Sequence, residues 1–228
     1  MNKHLKSSLA VAVLATGMNA FADVGLFEWG INKDGVITGI GDPLPAGSTF
    51  DESTGLGTVR LSFTTAGVHS GVLFVDHELS EAANTFFNEL GTTSVGAPAA
   101  GQSWEIDEPG FSASPGDIFD NFLADTLDNT VGKPDPDDVS MAMGWSLVLA
   151  PGETALVEFL ISTLPPAAGF YLRQIDPDSQ ESIYFSSSLT IRGDDNNGVI
   201  PEGQTVVAAA ALGLLAAGQL WRRRHARA

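Results

Sequence analysis

The 228-residue chain contains no cysteine. That removes disulfides, thiolate metal sites and a cysteine nucleophile, so the folded part must be held by burial and hydrogen bonding alone. Basic residues are scarce along most of the chain. Between Asp23 and Ile200 there are five (Lys33, Arg60, Lys133, Arg173 and Arg192) against 27 acids, a formal charge of −22. Such a surface repels nucleic acid and anionic lipid, which excludes nucleic acid as a partner and suits solubility, divalent cations or a hydrated polymer. The sequence also lacks a glycine-rich phosphate loop, a nucleophile elbow and a Ser/His/Asp constellation, so a non-enzymatic role is expected.

Long apolar runs are absent too, and the two short ones sit at the ends. Lys3, His4 and Lys6 precede an apolar stretch over residues 9–18, and Ala20-Phe21-Ala22 follows. A basic start, a short apolar centre and small residues at Ala20 and Ala22 make a secretory signal peptide over residues 1–22, with the mature chain starting near Asp23. At the other end, residues 205–221 carry no charge and are rich in Ala, Gly, Leu and Val. At about 1.5 Å of rise each they span roughly 26 Å as a helix, barely a bilayer's apolar thickness. They are apolar all round, so a single transmembrane helix is predicted there, with the basic tail 222–228 on the cytoplasmic side and the body outside.

Pro201-Glu202, the apolar span after it and Arg222, Arg223 and Arg224 at the C-terminus resemble, in that order, the PEP-CTERM sorting signal of Gram-negative bacteria. Gly203 stands where that signal has its second proline. The resemblance covers residues 199–228, with residues 193–198 as a linker. It implies that Pro201 and Glu202 mark the processing site for the membrane protease-transpeptidase exosortase, and that the three arginines stop transfer. It also implies a precursor anchored transiently in the inner membrane and then delivered to the cell surface or medium, where such carriers are often linked to extracellular polysaccharide and biofilm matrix. Several stretches of the body, among them "LFVDHEL", "SWEIDEPG" and "DDVSMAMGW", are similar to a domain of exported proteins with this kind of tail, to which no activity attaches.

The body, residues 23–192, reads as one mainly β domain. Residues 57–65, 140–149 and 182–192 alternate apolar and polar positions, which predicts strands with one buried face. Val59, Leu61 and Phe63 face inward in the first; Met141, Met143, Trp145, Leu147 and Leu149 in the second; Ile183, Phe185, Leu189 and Ile191 in the third. Hairpins are expected at Lys33-Asp34-Gly35 and at Ala150-Pro151-Gly152-Glu153, the latter joining the tryptophan strand to residues 154–161. The predicted architecture is an antiparallel β-sandwich, jelly-roll-like, with one or two short helices. The helices are expected at 81–90, capped by Ser80 and ended by Gly91, and at 118–127. Residues 91–101 and 130–138 read as loops.

Few residues invite chemistry. His69 and His77 would share a strand face but stand about 26 Å apart at 3.3 Å per residue, too far to hold one ion. Asp76-His77-Glu78 could offer one ligand or a base at a strand end. Glu105, Asp107 and Glu108, then Asp135, Asp137 and Asp138, then Asp176 and Asp178 form acidic groups of the type calcium takes. The strict loop pattern is missing, because Gly193 and Gly30 stand where the first aspartate of "GDDNNG" and "GINKDG" belongs. Trp29, Trp104 and Trp145 could form a sugar-stacking platform if exposed. The expectation is an exported envelope or matrix protein with no obligatory cofactor. A carbohydrate- or calcium-binding module, or a hydrolase, delivered by the same tail is the alternative.

Overall fold

The computed structural model describes residues 24–80, 87–110, 116–132 and 136–193. Among the described residues, ten strands and one helix follow the order β1 Val24–Lys33, β2 Val36–Gly39, β3 Gly57–Phe63, β4 Gly67–Leu79, β5 Leu90–Thr93, β6 Gln102–Asp107, α1 Ile118–Ala124, β7 Ser140–Leu149, β8 Thr154–Ser162, β9 Tyr171–Ile175 and β10 Ser182–Arg192. They form two five-stranded antiparallel sheets, β2-β1-β4-β7-β6 and β3-β8-β10-β9-β5. The first is called sheet A here and the second sheet B.

The alternating runs build the core as their period requires. Val59, Leu61 and Phe63 of β3, Met141, Met143 and Trp145 of β7, and Ile183 and Phe185 of β10 are all buried in one cluster shared by both sheets. Asp34 and Gly35, both at positive φ (52° and 80°), turn β1 into β2, as a two-residue hairpin demands.

Strand β4 departs from alternation. Residues 71–77 are buried without a break, because both faces of this central strand are covered. Its inner face joins the main core; on its outer face Val72 and Phe74, with Ala142 of β7, form a second small core under Ile118, Phe122 and Leu127. Gly30 makes that contact fit, since an added Cβ would lie 2.7 Å from the Phe122 ring. Asn32 then fastens the helix by donating from Nδ2 to the carbonyls of Phe122 and Leu123, at 3.0 and 3.1 Å.

Three expectations are corrected. The turn at residues 150–153 is not a hairpin: β7 lies in sheet A and β8 in sheet B, so it carries the chain across the core. Both flanking strands show one apolar face, but toward the same core from opposite sides. The expected helix over 81–90 is not continued at its C-terminal end. Residues 81–86 lie outside the described set, Phe87 is exposed at φ 58°, Glu89 bridges Asp137, and Leu90 opens β5. Pairing with β9 outweighs the helical stripe there and also takes residues 91–93 from the expected loop. The second helix forms but ends at Ala124, where Asp125 adopts the left-handed conformation. Among the described residues no helix is long and apolar enough to cross a membrane. The expected signal peptide and residues 205–221 lie outside them.

Candidate functional site

The outer face of sheet A gathers carboxylates in rows set by strand register. Glu28 of β1, Asp76 of β4, Ser140 of β7 and Asp107 of β6 are cross-strand partners in sequence, so they share one face. Glu105 lies two residues back on the same face, while Trp104 and Ile106 turn inward to the core. Helix α1, laid over this face by Phe122, brings Asp117 to the edge of β6.

The result is a convergence of Glu105, Asp107 and Asp117, each with a carboxylate oxygen within 4.8 Å of the others. Glu105 is buried and fixed: Asn121 Nδ2 donates to both its oxygens at 3.0 and 3.2 Å, and the Asp128 N–H adds a third bond at 3.1 Å. Asp107 accepts from the Glu108 N–H at 2.8 Å and the Asp117 N–H at 3.4 Å. Gly132 leaves room for its carboxylate, since a Cβ there would sit 2.3 Å away. Burial pushes Glu105 up to about 7, against these hydrogen bonds, and also raises Asp107. Such a set can share protons or hold a hard cation.

The neighbouring acids show the same strain. Asp76 is pushed up to about 7, first by burial and then by the charge of Asp138, although Ser140 Oγ donates to it at 2.9 Å. Burial likewise lifts Glu89 to about 7 and Asp138 to about 6. None of the described cations is bonded to this end. Lys33 donates to the Ser62 carbonyl and lies over the Phe63 ring, Arg60 donates to Gly47 and Glu158, and Arg173 donates to Ser182 Oγ.

His69 and His77 serve structure. His77 faces the core, opposite to Asp76, so Asp76-His77-Glu78 does not act as one group. Its ring lies against the Thr54–Gly55 turn, and neither nitrogen has a partner of full hydrogen-bond geometry. Burial lowers it to about 4, only partly offset by the peptide groups of Gly55 and Thr54. His69 pairs with Asp34 instead. The tryptophans make no exposed platform: Trp29 and Trp145 are buried, and half-buried Trp104 packs on Phe170 with ring centroids 5.4 Å apart.

Of the other acidic groups, Asp176 accepts from the N–H groups of Asp178 and Ser179, which makes it a turn former. In "GINKDG", Asn32 and Asp34 are likewise spent on α1 and His69. Asp135 and residues 194–198 lie outside the described set, as do Ala20, Ala22, Pro201, Glu202, Arg222, Arg223 and Arg224. Asp117 escaped the sequence reading, because only the packing of α1 joins it to β6. No family model, curated protein or solved structure matches this chain.

Proposed function

We propose that this chain is an exported, surface-directed protein with a non-enzymatic role in the envelope or biofilm matrix, sorted by its own C-terminal signal. The observation that carries this reading is an order of features in the sequence: a signal peptide ending at Ala20-Phe21-Ala22, then Pro201-Glu202, an uncharged span and an arginine cluster. On this reading exosortase is the processing partner, the inner membrane a transient hold through residues 205–221, and extracellular polysaccharide the surrounding phase. The acidic body fits delivery into a hydrated matrix. The sandwich is of jelly-roll type, a reading supported by the chain's repeated crossings between its sheets.

The test is mass spectrometry of the C-terminus in the native host, for wild type and for Pro201→Ala/Glu202→Ala. An end near Pro201 that disappears in the variant supports sorting and processing. A C-terminus at Ala228 in both overturns it and makes the tail a permanent anchor.

A second reading, a cation-binding module delivered by the same tail, is favoured by one observation, the convergence of Glu105, Asp107 and Asp117. Calcium is the cation that an all-oxygen set at a loop edge suits.

A further inference from the structure

Most sheet edges in this fold are protected. Beside β3, the Thr49 N–H donates to the Thr58 carbonyl at 2.7 Å and Ser48 Oγ accepts from the Arg60 N–H at 3.1 Å. Beside β6, residues 129–132 bond to Trp104 and Ile106. On β2, the Gly39 N–H is capped by Asp42 Oδ2 at 3.1 Å. Unpaired main-chain groups on an edge are a template for another chain, which is why edges are usually covered.

Strand β10 is an exception inside sheet B. Its register with β9 stops at Ser186 and Tyr171, whereas its register with β8 continues to Arg192 and Thr154. In an antiparallel ladder each residue turns its N–H and C=O to the same side, and sides alternate along the strand. Tyr171 turns both away from β10: its N–H donates to Ser94 Oγ at 3.1 Å and its carbonyl accepts from the Ser94 N–H at 2.9 Å. Leu172 therefore bonds to β10 through Phe185, and by alternation Ser188 and Thr190 bond to β8. Leu189 and Ile191 consequently direct their N–H and C=O groups to the side where, among the described residues, no strand lies.

A groove of about 550 Å³ borders this edge at Leu189. Trp145 and Gln102 of sheet A line it, and both donate to Ser187 Oγ at 2.9 Å, which fixes that part of the lining. Ala97, Ala99 and Phe170 supply lining from the connecting segments, small enough at the two alanines to leave room for a backbone. Lining on both sides of the gap suits one added strand and disfavours the broad edge of a second whole sheet. Glu158 is the one ionisable residue in the lining; Arg60 bonds only its Oε1, at 3.2 Å, and the side chain stays partly exposed.

We propose that this slot is a strand-addition site for an extended segment of another polypeptide. The segment pairs its main chain with Leu189 and Ile191, places apolar side chains at alternate positions toward the inter-sheet core, and carries a lysine or arginine near Glu158. The main-chain pattern calls for a peptide, and the Glu158 carboxylate, of which Arg60 engages only Oε1, selects a basic one.

The test is residue-resolved amide hydrogen exchange on the full chain, with the capped peptide Lys-Val-Thr-Val-Thr-Val-Lys as probe. In the free protein the amides of Ser188 and Thr190 are protected, while those of Leu189 and Ile191 exchange quickly. On adding the probe the latter two become protected. Leu189→Pro removes an edge-facing N–H without touching the β8 ladder and weakens the probe about tenfold, the size of one lost hydrogen bond. Glu158→Gln, which leaves the strand intact, weakens it as well, and so does replacing the probe's lysines by glutamate. Protection of Leu189 and Ile191 before any probe is added would show the edge covered by this chain itself and overturn the proposal. Unchanged exchange at millimolar probe would overturn it equally.

Discussion

His69 and Asp34, far apart in sequence, close one end of the molecule. The imidazole Nδ1 stands 2.9 Å from Asp34 Oδ2, and Nε2 donates to the Thr65 carbonyl at 2.8 Å, so the β1–β2 turn is tied to the β3–β4 connection. Both ring nitrogens face acceptors, which calls for a proton on each. Asp34, with the Thr65 carbonyl, raises the His69 pKa above its ordinary 6.5. A group of this kind stabilises fully below its unfolded pKa and ceases to do so as pH rises through the folded one. His69→Gln should therefore lower the urea midpoint more at pH 6 than at pH 9. An equal loss at both would show that the ring is bound neutral.

The buried acids work in the opposite sense to a salt-bridged carboxylate. Asp76 holds a proton in the folded state that the unfolded chain releases near pH 4. Its ionisation therefore weakens the fold as pH rises from about 4 to about 7. Asp76→Asn keeps an acceptor for Ser140 Oγ and removes that cost. The variant should be more stable than wild type at pH 8, by roughly 1 to 3 kcal/mol, with the difference vanishing near pH 4. Urea unfolding across that range decides it, and a less stable variant at pH 8 would place a compensating charge beside Asp76.

His77 supplies the acid limb. Buried against Gly55 and held neutral, it takes a proton near pH 4 when folded but near 6.5 when unfolded. Stability is lost as pH falls through that window. His77→Leu should flatten this limb, so that wild type loses roughly 2 to 3 kcal/mol more than the variant between pH 7 and 4. Parallel curves would mean that His77 is protonated in the fold.

Where one face was buried and one solvated, the sequence was legible: the period of two placed β3, β7 and β10 almost residue for residue. It failed where tertiary packing overrides local pattern. Strand β4 is covered on both faces, so no polar alternation marks residues 71–77. Leu90, set on a helical stripe by its neighbours, and Gly91, the expected helix stop, are drawn into sheet B by β9. The turn at 150–153 has hairpin chemistry, yet nothing local distinguishes joining two strands of one sheet from joining two sheets. The acidic site shows the same division. Glu105 and Asp107 stand together in one acidic stretch of the sequence, but Asp117 reaches them only because Phe122 seats α1 over Gly30.

That seat can be tested alone. Gly30→Ala puts a methyl 2.7 Å from Phe122 and forces α1 outward. A cost of about 1 to 3 kcal/mol is expected from overpacking. Because Asn32 and Asn121 both depend on the helix position, the Asn121 side-chain amide signal should shift in the NMR spectrum as its bonds to Glu105 weaken. An unchanged Asn121 signal in a destabilised variant would show that Gly30 matters to β1 and not to the helix.

The carboxylate convergence makes the remaining prediction. Glu105, Asp107 and Asp117 crowd their carboxylates together and Glu105 stays partly protonated near neutrality, so a bound divalent cation would relieve repulsion and displace the Glu105 proton together. Calcium at a hundred times its dissociation constant should stabilise the fold by about 2.7 kcal/mol, read as a rise in thermal midpoint. The rise should grow from pH 6 to pH 8 as Glu105 loses its proton. It should disappear in Asp107→Asn, which keeps the shape of the acceptor and removes its charge, while magnesium, which demands stricter octahedral geometry, should act more weakly. A midpoint that calcium moves equally in wild type and Asp107→Asn would assign the effect to general screening of the acidic surface and leave these three residues a purely structural part of the α1 seat.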